Sequence, residues 1–318
     1  MTARENDRTQ HKETEEHFFK SNAVKMIHEM SKLSREIQED SRSALIDEML
    51  HSIFFLGKIL KDFSPEDIIA DKEMLENLNT YYPRPFRCYQ THFPRRSPFS
   101  CVLDMIVLHK NPENEEQIKQ SLQRFARGLD PEYLVSSTIC ISQKSKTDQN
   151  SKRYYGVSMS TKGPNTGQIV IAASCLNNWH EYVSGAVMTY YPEMDKKNYF
   201  DGTIKVPKNI RCEAFDIRSG NKKDPCRSCH NLFGLNTEQI KEWDYGNCAE
   251  AESLSNLLKN EEEVKKKTNV NKYSAENRKK AEKEVHDNLM DVLKRNRDKN
   301  TQRKGFEKHL KIYNPESE

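Results

Sequence analysis

The sequence lacks a long apolar run, and no charged segment followed by an apolar stretch stands at its start. A membrane-spanning helix needs about 20 predominantly apolar residues, and a secretory signal needs a charged-then-apolar start. The chain is also strongly polar, with a mean hydropathy of −0.92. We therefore expect a protein that makes no membrane contact and works in the cytoplasm or the nucleus.

The sequence also lacks a strong net charge and a dense cysteine framework. Its formal charge is +3, so it carries no global field that would attract nucleic acid, and any basic patch must be local. Eight cysteines in 318 residues are too few for a disulfide-stapled scaffold. In a reducing compartment, clustered thiols more often indicate metal binding or catalysis. The length suffices for one large or two modest domains.

Composition and periodicity divide the chain into four segments. Residues 1–17 are polar and show no apolar period, so we expect disorder there. Pro83, Pro85, Pro94 and Pro98 mark the boundary between a helical module and the domain that follows it. The segments are a disordered tail (1–17), a helical N-terminal module (18–82), an α/β domain (83–260) and a charged helical tail (261–318).

The N-terminal module repeats apolar residues at three- and four-residue steps, as at Val24, Ile27, Met30 and Leu33. This period is typical of amphipathic helices, and Ser64 followed by proline is a helix start signal. A packing or interaction role is the usual one for such helices. We expect these helices to pack against the rest of the chain or to bind a protein partner.

The third segment alternates predicted strands and helices, which favours a layered α/β fold. We expect a buried strand at Cys101–Leu108, a helix at Glu115–Leu129, a strand at Tyr133–Ile141, a β-hairpin of Tyr154–Thr161 and Gln168–Cys175 with its turn at Lys162–Gly167, a helix at Trp179–Tyr191 and a strand at Asn209–Ile217.

Three cysteines and a glutamate follow the last of these strands, at two predicted helix starts. Asp224 and the proline after it suit the beginning of a helix that carries Cys226 and Cys229 on one face. Asn247, with Glu250 three residues later, resembles a capping box that begins a second helix at Cys248. Helix N-termini favour thiolates, and thiolates are preferred zinc ligands.

Such a site has the parts that hydrolytic deamination needs. Three protein ligands leave a fourth zinc position for water, whose pKa the ion lowers to roughly 7. A nearby carboxylate can then transfer protons between the water and the leaving group.

These residues also resemble a known family. Pro225-Cys226-Arg227-Ser228-Cys229 matches the P-C-x-x-C motif of the zinc-dependent cytidine deaminase-like superfamily, and Cys248-Ala249-Glu250 matches its [H/C]-A-E motif. The similarity spans about Tyr154–Lys259, and the two motifs stand in the reverse of the family's order. A zinc site depends on spatial arrangement rather than on sequence order.

The resemblance implies a three-layer α/β/α sandwich with the helical N-terminal module attached. It implies that Cys226, Cys229 and Cys248 bind Zn²⁺ and that Glu250 is the catalytic proton carrier. It also places a substrate-contacting asparagine at Asn177 or Asn178. The implied activity is hydrolytic deamination of a cytosine- or adenine-type base in a nucleoside, a nucleotide or a nucleic acid.

Other interpretations of the same residues stay open. Cys212 could complete a structural four-cysteine zinc site in a non-catalytic interaction protein. Glu250 could serve only as a helix cap, and the asparagines could be ordinary turn residues. The string Cys226–His230 also spells a haem attachment motif, although no secretory signal or methionine pattern accompanies it.

The end of the chain is basic between Lys294 and Lys311. Such a cluster can bind phosphates, and a solvated helix explains it equally well.

Overall fold

The structure is a computed structural model that describes residues 3–37, 41–159, 164–298 and 311–315. Its helices are α1 (Ala3–Glu36), α2 (Ser41–Lys61), α3 (Pro65–Ile68), α4 (Lys72–Tyr81), α5 (Pro83–Cys88), α6 (Pro98–Lys110), α7 (Glu115–Arg127), α8 (Pro164–Asn177), α9 (Glu181–Met188), α10 (Arg227–Phe233), α11 (Ala249–Asn260), α12 (Glu262–Lys267) and α13 (Ala275–Asp298). Its strands are β1 (His92–Phe93), β2 (Thr138–Gln143), β3 (Tyr154–Val157), β4 (Ile204–Lys205), β5 (Arg211–Asp216), β6 (Lys222–Lys223), β7 (Asn269–Val270) and β8 (Lys311–Ile312).

The N-terminal region is helical, as the apolar period predicts. The predicted stripe on α1 is buried at Ile27, Met30 and Leu33. Ser64 caps α3 in a reciprocal capping box with Asp67. Helix α1 begins at Ala3, so it also covers residues for which we expected disorder. Helix α2 packs against α6, and one continuous hydrophobic core joins the N-terminal helices to the rest of the chain.

The central sheet is antiparallel and has the strand order β3-β2-β5-β6. Register places Cys140 of β2 opposite Ala214 of β5, and Ile139 opposite Phe215. Because side chains alternate along a strand, Cys140 and Ala214 point to one face and Ile139 and Phe215 to the other.

Helices cover both faces of this sheet. Helix α11 lies on the first face, where Ala249 packs against Cys140 and the Ser142 and Ser253 hydroxyls lie 3.0 Å apart. On the opposite face α7 supplies Lys119, whose Nζ lies 4.4 Å from the centre of the Phe215 ring. Helix α6 packs against β3. The architecture is therefore mixed α/β, with small sheets among many helices.

Helix α11 and β3 approach closely because β3 carries glycine at position 156. A Cβ atom there would lie 2.3 Å from the Ser253 backbone nitrogen and 2.8 Å from the Ala249 carbonyl oxygen. The Glu252 carboxylate accepts a 2.8 Å hydrogen bond from the Val157 N–H. These contacts fix the start of α11 against the sheet.

Two of the predicted strands are wrong. Residues Cys101–Leu108 belong to α6, which Ser97 caps through a bond from the Ser100 N–H. The predicted hairpin is also wrong, because Gln168–Cys175 lies inside α8, where neighbouring helices bury it. Residues 160–163, which are the end of the first predicted hairpin strand and the start of the predicted turn, lie outside the described residues. The strand expected at Tyr133–Ile141 begins later, at Thr138, whereas α7, α9 and β5 confirm their predictions.

The segment 311–315 returns to the N-terminal helices. Strand β8 pairs in parallel with β1, and the fully buried Tyr313 donates a 2.5 Å hydrogen bond to Asp47 Oδ1. Its ring stacks on His51 with 3.7 Å between the centroids. Within the part of the chain that is described, no helix is both long and apolar enough to cross a bilayer. Most of the basic cluster predicted to meet phosphates, Arg295–Lys308, lies outside the described side chains.

Candidate metal centre

Two helix starts bring the predicted cysteines together. Cys226 is the N-cap of α10 and Cys248 is the N-cap of α11, each in an extended backbone conformation. Neither cap makes a side-chain hydrogen bond to its helix, so both thiols are free to face a common point. The expected caps, Asp224 and Asn247, are therefore wrong: the helices begin one or two residues later than we predicted.

The three sulfurs converge on one site. Cys226 Sγ lies 3.3 Å from Cys248 Sγ and 3.7 Å from Cys229 Sγ. All three lie within 4.8 Å of one another, so the group could hold a metal ion. Cys229 is buried, whereas Cys226 and Cys248 are partly exposed. The site is thus anchored in the core and opens toward the surface.

Hydrogen bonding among the thiols localises negative charge on Cys226. Hydrogen bonds between Cys226 and the thiols of Cys229 and Cys248 hold the pKa of the Cys226 thiol far below its usual range. The same bonds to Cys226 raise the pKa of Cys229 and of Cys248. The thiolate form, in which cysteine binds metals, is therefore favoured most at Cys226.

Glu250 lies beside the thiols, in the first turn of α11. Its side chain is 4% exposed, and burial is the main reason that its pKa rises to about 7. The negative charge of Cys226 raises this pKa further, whereas a hydrogen bond with the Cys229 thiol lowers it. A carboxyl group of this pKa can both accept and release a proton near neutral pH.

The segments around the thiols hold the site in shape. Gly234 ends α10 in the left-handed conformation (φ +70°), and Gly246 (φ +96°) sits two residues before Cys248. Asn247 accepts a 2.9 Å hydrogen bond from the Met159 N–H. Tyr245 stacks on Tyr190 with 4.0 Å between the ring centroids. The approach to Cys248 is therefore tied to the surrounding core.

Other predicted residues lie apart from the thiol group. The Asn177 side chain donates to the Ala173 carbonyl, and the Asn178 N–H donates to the Ser174 carbonyl, so both bond within their own helix end. Their substrate contact stays a prediction. Cys212 is not a member of the thiol group among the described residues.

Cys212 instead faces Cys140, a residue to which sequence reasoning gave no role. Their sulfurs are 3.6 Å apart on adjacent strands. Burial and the hydrogen bond with Cys212 raise the pKa of Cys140, which also packs under Ala249. The only signal in the sequence was that both cysteines fall in predicted strands, which does not show that the strands are neighbours.

Comparison with known proteins gives no match: no family model, no curated protein and no solved structure is significantly similar to this chain.

Proposed function

We propose that this chain is a zinc-dependent hydrolytic deaminase of a cytosine- or adenine-type base. The observation that carries the proposal is the convergence of Cys226, Cys229 and Cys248 with the buried carboxyl group of Glu250 beside them. The motifs Pro225–Cys229 and Cys248–Glu250 resemble those of the cytidine deaminase-like superfamily. Their reversed order is compatible with this proposal because both motifs start helices that meet at one point.

The donor set fits zinc. Zn–S bonds of roughly 2.3 Å in a tetrahedral site separate the sulfurs by about 3.8 Å. The observed separations of 3.3 Å and 3.7 Å are close to that value. Three thiolates leave one of four positions for a small ligand, and Cys212 does not occupy it, since its sulfur contacts Cys140. This favours a catalytic over a structural four-cysteine site.

The residues would divide the chemistry as follows. Zinc, when bound by the three cysteines, supplies a water of lowered pKa, near 7 in known sites. Glu250 accepts a proton from the attacking water and delivers it to the amino nitrogen that leaves the ring carbon as ammonia.

The surrounding fold supports the same proposal. Helix α11 covers one face of the β3-β2-β5-β6 sheet, and Lys119 of α7 packs on the other. We infer that this region is the deaminase-like three-layer α/β/α sandwich that the resemblance implies, with the N-terminal helices packed onto it. Catalytic groups at the starts of two helices beside strands are consistent with that arrangement.

The test is an assay of the purified chain for bound zinc and for deamination of nucleosides, nucleotides and short oligonucleotides. We expect one zinc per chain and conversion of an amino to a carbonyl group, detected by mass spectrometry. Glu250→Gln should keep the zinc and lose the activity. Glu252→Gln is the matched control, because it removes another buried carboxyl group from the same helix. The hydrogen-bond partner of this carboxyl group is the Val157 N–H rather than a thiol.

Two results would contradict the proposal. Activity in Glu250→Gln equal to that of the parent chain would exclude the role of this carboxyl group. A zinc that is present with four sulfur ligands, seen by X-ray absorption, would identify the alternative, a structural zinc in a non-catalytic interaction protein.

A further inference from the structure

A loop without helix or strand, residues 234–247, connects the two ligand-bearing helices; we call it the connecting loop. Its middle is fixed to the first turn of α10. The Trp243 N–H donates to Ser228 Oγ (2.9 Å), and the Ser228 hydroxyl donates to the Trp243 carbonyl (2.6 Å). The Arg227 N–H donates to the Lys241 carbonyl (3.0 Å). Because Ser228 stands between Cys226 and Cys229, these bonds hold Trp243 beside the thiol site.

The Trp243 side chain is unusually exposed for a tryptophan. It is 47% accessible, and the ammonium nitrogen of Lys241 lies 3.6 Å from its ring centroid. The Lys241 ammonium group and the face of the Trp243 ring that it covers form a cation–π interaction. The rest of the exposed ring is available to another flat group, and nucleobases stack on such rings whatever their sequence.

A basic pocket of about 290 Å³ is lined in part by Pro225, the residue before Cys226. Its walls carry two carboxylates, Glu213 and Asp224, and four lysines. Lys222 is ion-paired with Glu213 and Lys223 with Asp216, whereas Lys146 and Lys208 form no ion pair among the described residues. The connecting loop borders this pocket through Leu235, and the Thr237 hydroxyl donates to the Pro225 carbonyl. Pro225 and the connecting loop thus link the pocket to the thiol site and to Trp243. The lysines of the pocket suit phosphate groups.

We propose that the connecting loop and the lysine pocket bind single-stranded nucleic acid, with one base stacked on Trp243 and phosphates at the lysines. This inference rests on the proposed function and specifies its substrate. The reacting base must reach Glu250 and the thiol site, so the base on Trp243 is a different, neighbouring base. A single nucleoside or nucleotide cannot supply both, and at least two linked nucleotides are needed.

The experiment measures binding of a fluorescently labelled single-stranded oligonucleotide to the full, zinc-loaded chain by anisotropy. Trp243→Ala should weaken binding on the order of 10- to 100-fold, the range expected for loss of one base–aromatic stack. Trp243→Phe should restore most of it. Tyr81→Ala is the matched control, since Tyr81 is an exposed aromatic residue (76%) on the distant helix α4.

Salt dependence tests the lysine pocket. The double variant Lys146→Ala/Lys208→Ala should reduce the slope of log affinity against log salt by about 1.4, if each lysine meets one phosphate of a single strand. Zinc content and thermal unfolding of every variant show whether the fold is intact. Wild-type affinity in Trp243→Ala, or an unchanged slope in the double variant, would overturn the inference.

The two proposals fail in different ways. If the oligonucleotide binds in a Trp243-dependent manner but no base is deaminated, the inference holds and the proposed function fails. If free nucleosides are deaminated equally by the parent chain and Trp243→Ala while oligonucleotides do not bind, the proposed function holds and the inference is overturned.

Discussion

Glycine 156 offers a direct test of how the candidate site is held in place. Alanine there would put a Cβ atom 2.3 Å from the Ser253 backbone nitrogen and 2.8 Å from the Ala249 carbonyl oxygen. Ordinary contact begins at 3.4 Å, so the shortfall is 3.4 Å less 2.3 Å, about 1.1 Å. Both atoms belong to the backbone of α11, so no flexible side chain can move aside and the helix itself must withdraw.

The expected cost of Gly156→Ala follows from this overlap. Overpacking a close contact costs about 1–3 kcal/mol, and a contact made of backbone atoms belongs at the upper end. At about 2.1 cal/mol/K of unfolding entropy per residue, about 3 kcal/mol corresponds to a fall in melting temperature of roughly 4–5 °C for 318 residues. A helix displaced by about 1 Å would also misplace Cys248, because that shift is nearly half of a Zn–S bond of about 2.3 Å.

The assay is thermal and denaturant unfolding of the zinc-loaded and chelator-treated chain, together with zinc titration. Gly128→Ala is the control, since its Cβ would meet only the Phe125 carbonyl oxygen at 3.4 Å and its backbone is right-handed. That substitution should be neutral or stabilising by about 0.4–1 kcal/mol. If Gly156→Ala melts with the parent chain and binds zinc as tightly, the close approach of β3 and α11 does not govern the site.

Three further predictions concern other parts of the molecule. Cys248→Ser should release the zinc and lower the melting temperature, since metal binding is coupled to folding, whereas Cys88→Ser should keep it; zinc content decides. Burial raises the pKa of Glu115, but hydrogen bonds from its arginine partners outweigh burial and lower it overall. The stability that this carboxylate adds is therefore present at neutral pH and lost as the pH falls through its folded-state pKa. Glu115→Gln should be less stable than the parent chain at about pH 7, and urea unfolding should show this difference shrinking as the pH is lowered through that pKa. Tyr313→Phe removes the hydroxyl that donates to Asp47 and should reduce the free energy of unfolding by about 1–3 kcal/mol; an unchanged value would show that the bond contributes nothing.

Local patterns were sufficient to predict much of the candidate site. Cysteines spaced three apart at a helix start project from one turn wherever that helix lies, and α10 confirms the helix. The amphipathic helix α7 has a clear polar face, so the helical spacing of its apolar residues is visible in the sequence. Strand β5 alternates and is followed by turn residues. In each of these elements the deciding interactions lie within a few residues of one another.

Elements buried on several sides were not predictable in the same way. Helix α6 packs against α2, α7 and β3, so its residues Cys101–Leu108 are apolar except for Asp104 and show no helical period. Helix α8 lies against α2, α9 and α13, and its β-branched residues are typical of a strand. Long-range burial overrode local preference in both cases.

Contacts between distant segments also could not be predicted from the sequence. The 3.6 Å approach of Cys140 and Cys212 depends on the pairing of β2 with β5. The close fit of Gly156 under α11 depends on which helix covers the sheet. Neither spacing nor composition encodes such neighbours, because they are set by topology.

Cys226 and Cys248 cap two helices that the connecting loop joins, and this has a consequence for how ligands communicate. A metal ion held by both closes a ring of chain between positions 22 residues apart, which removes conformational freedom from everything inside the ring. Trp243 is inside it. A metal ion bound at this position would therefore restrict the conformations of the Trp243 ring before nucleic acid binds. In return, single-stranded nucleic acid bound to Trp243 would raise the affinity for the ion by the same free energy.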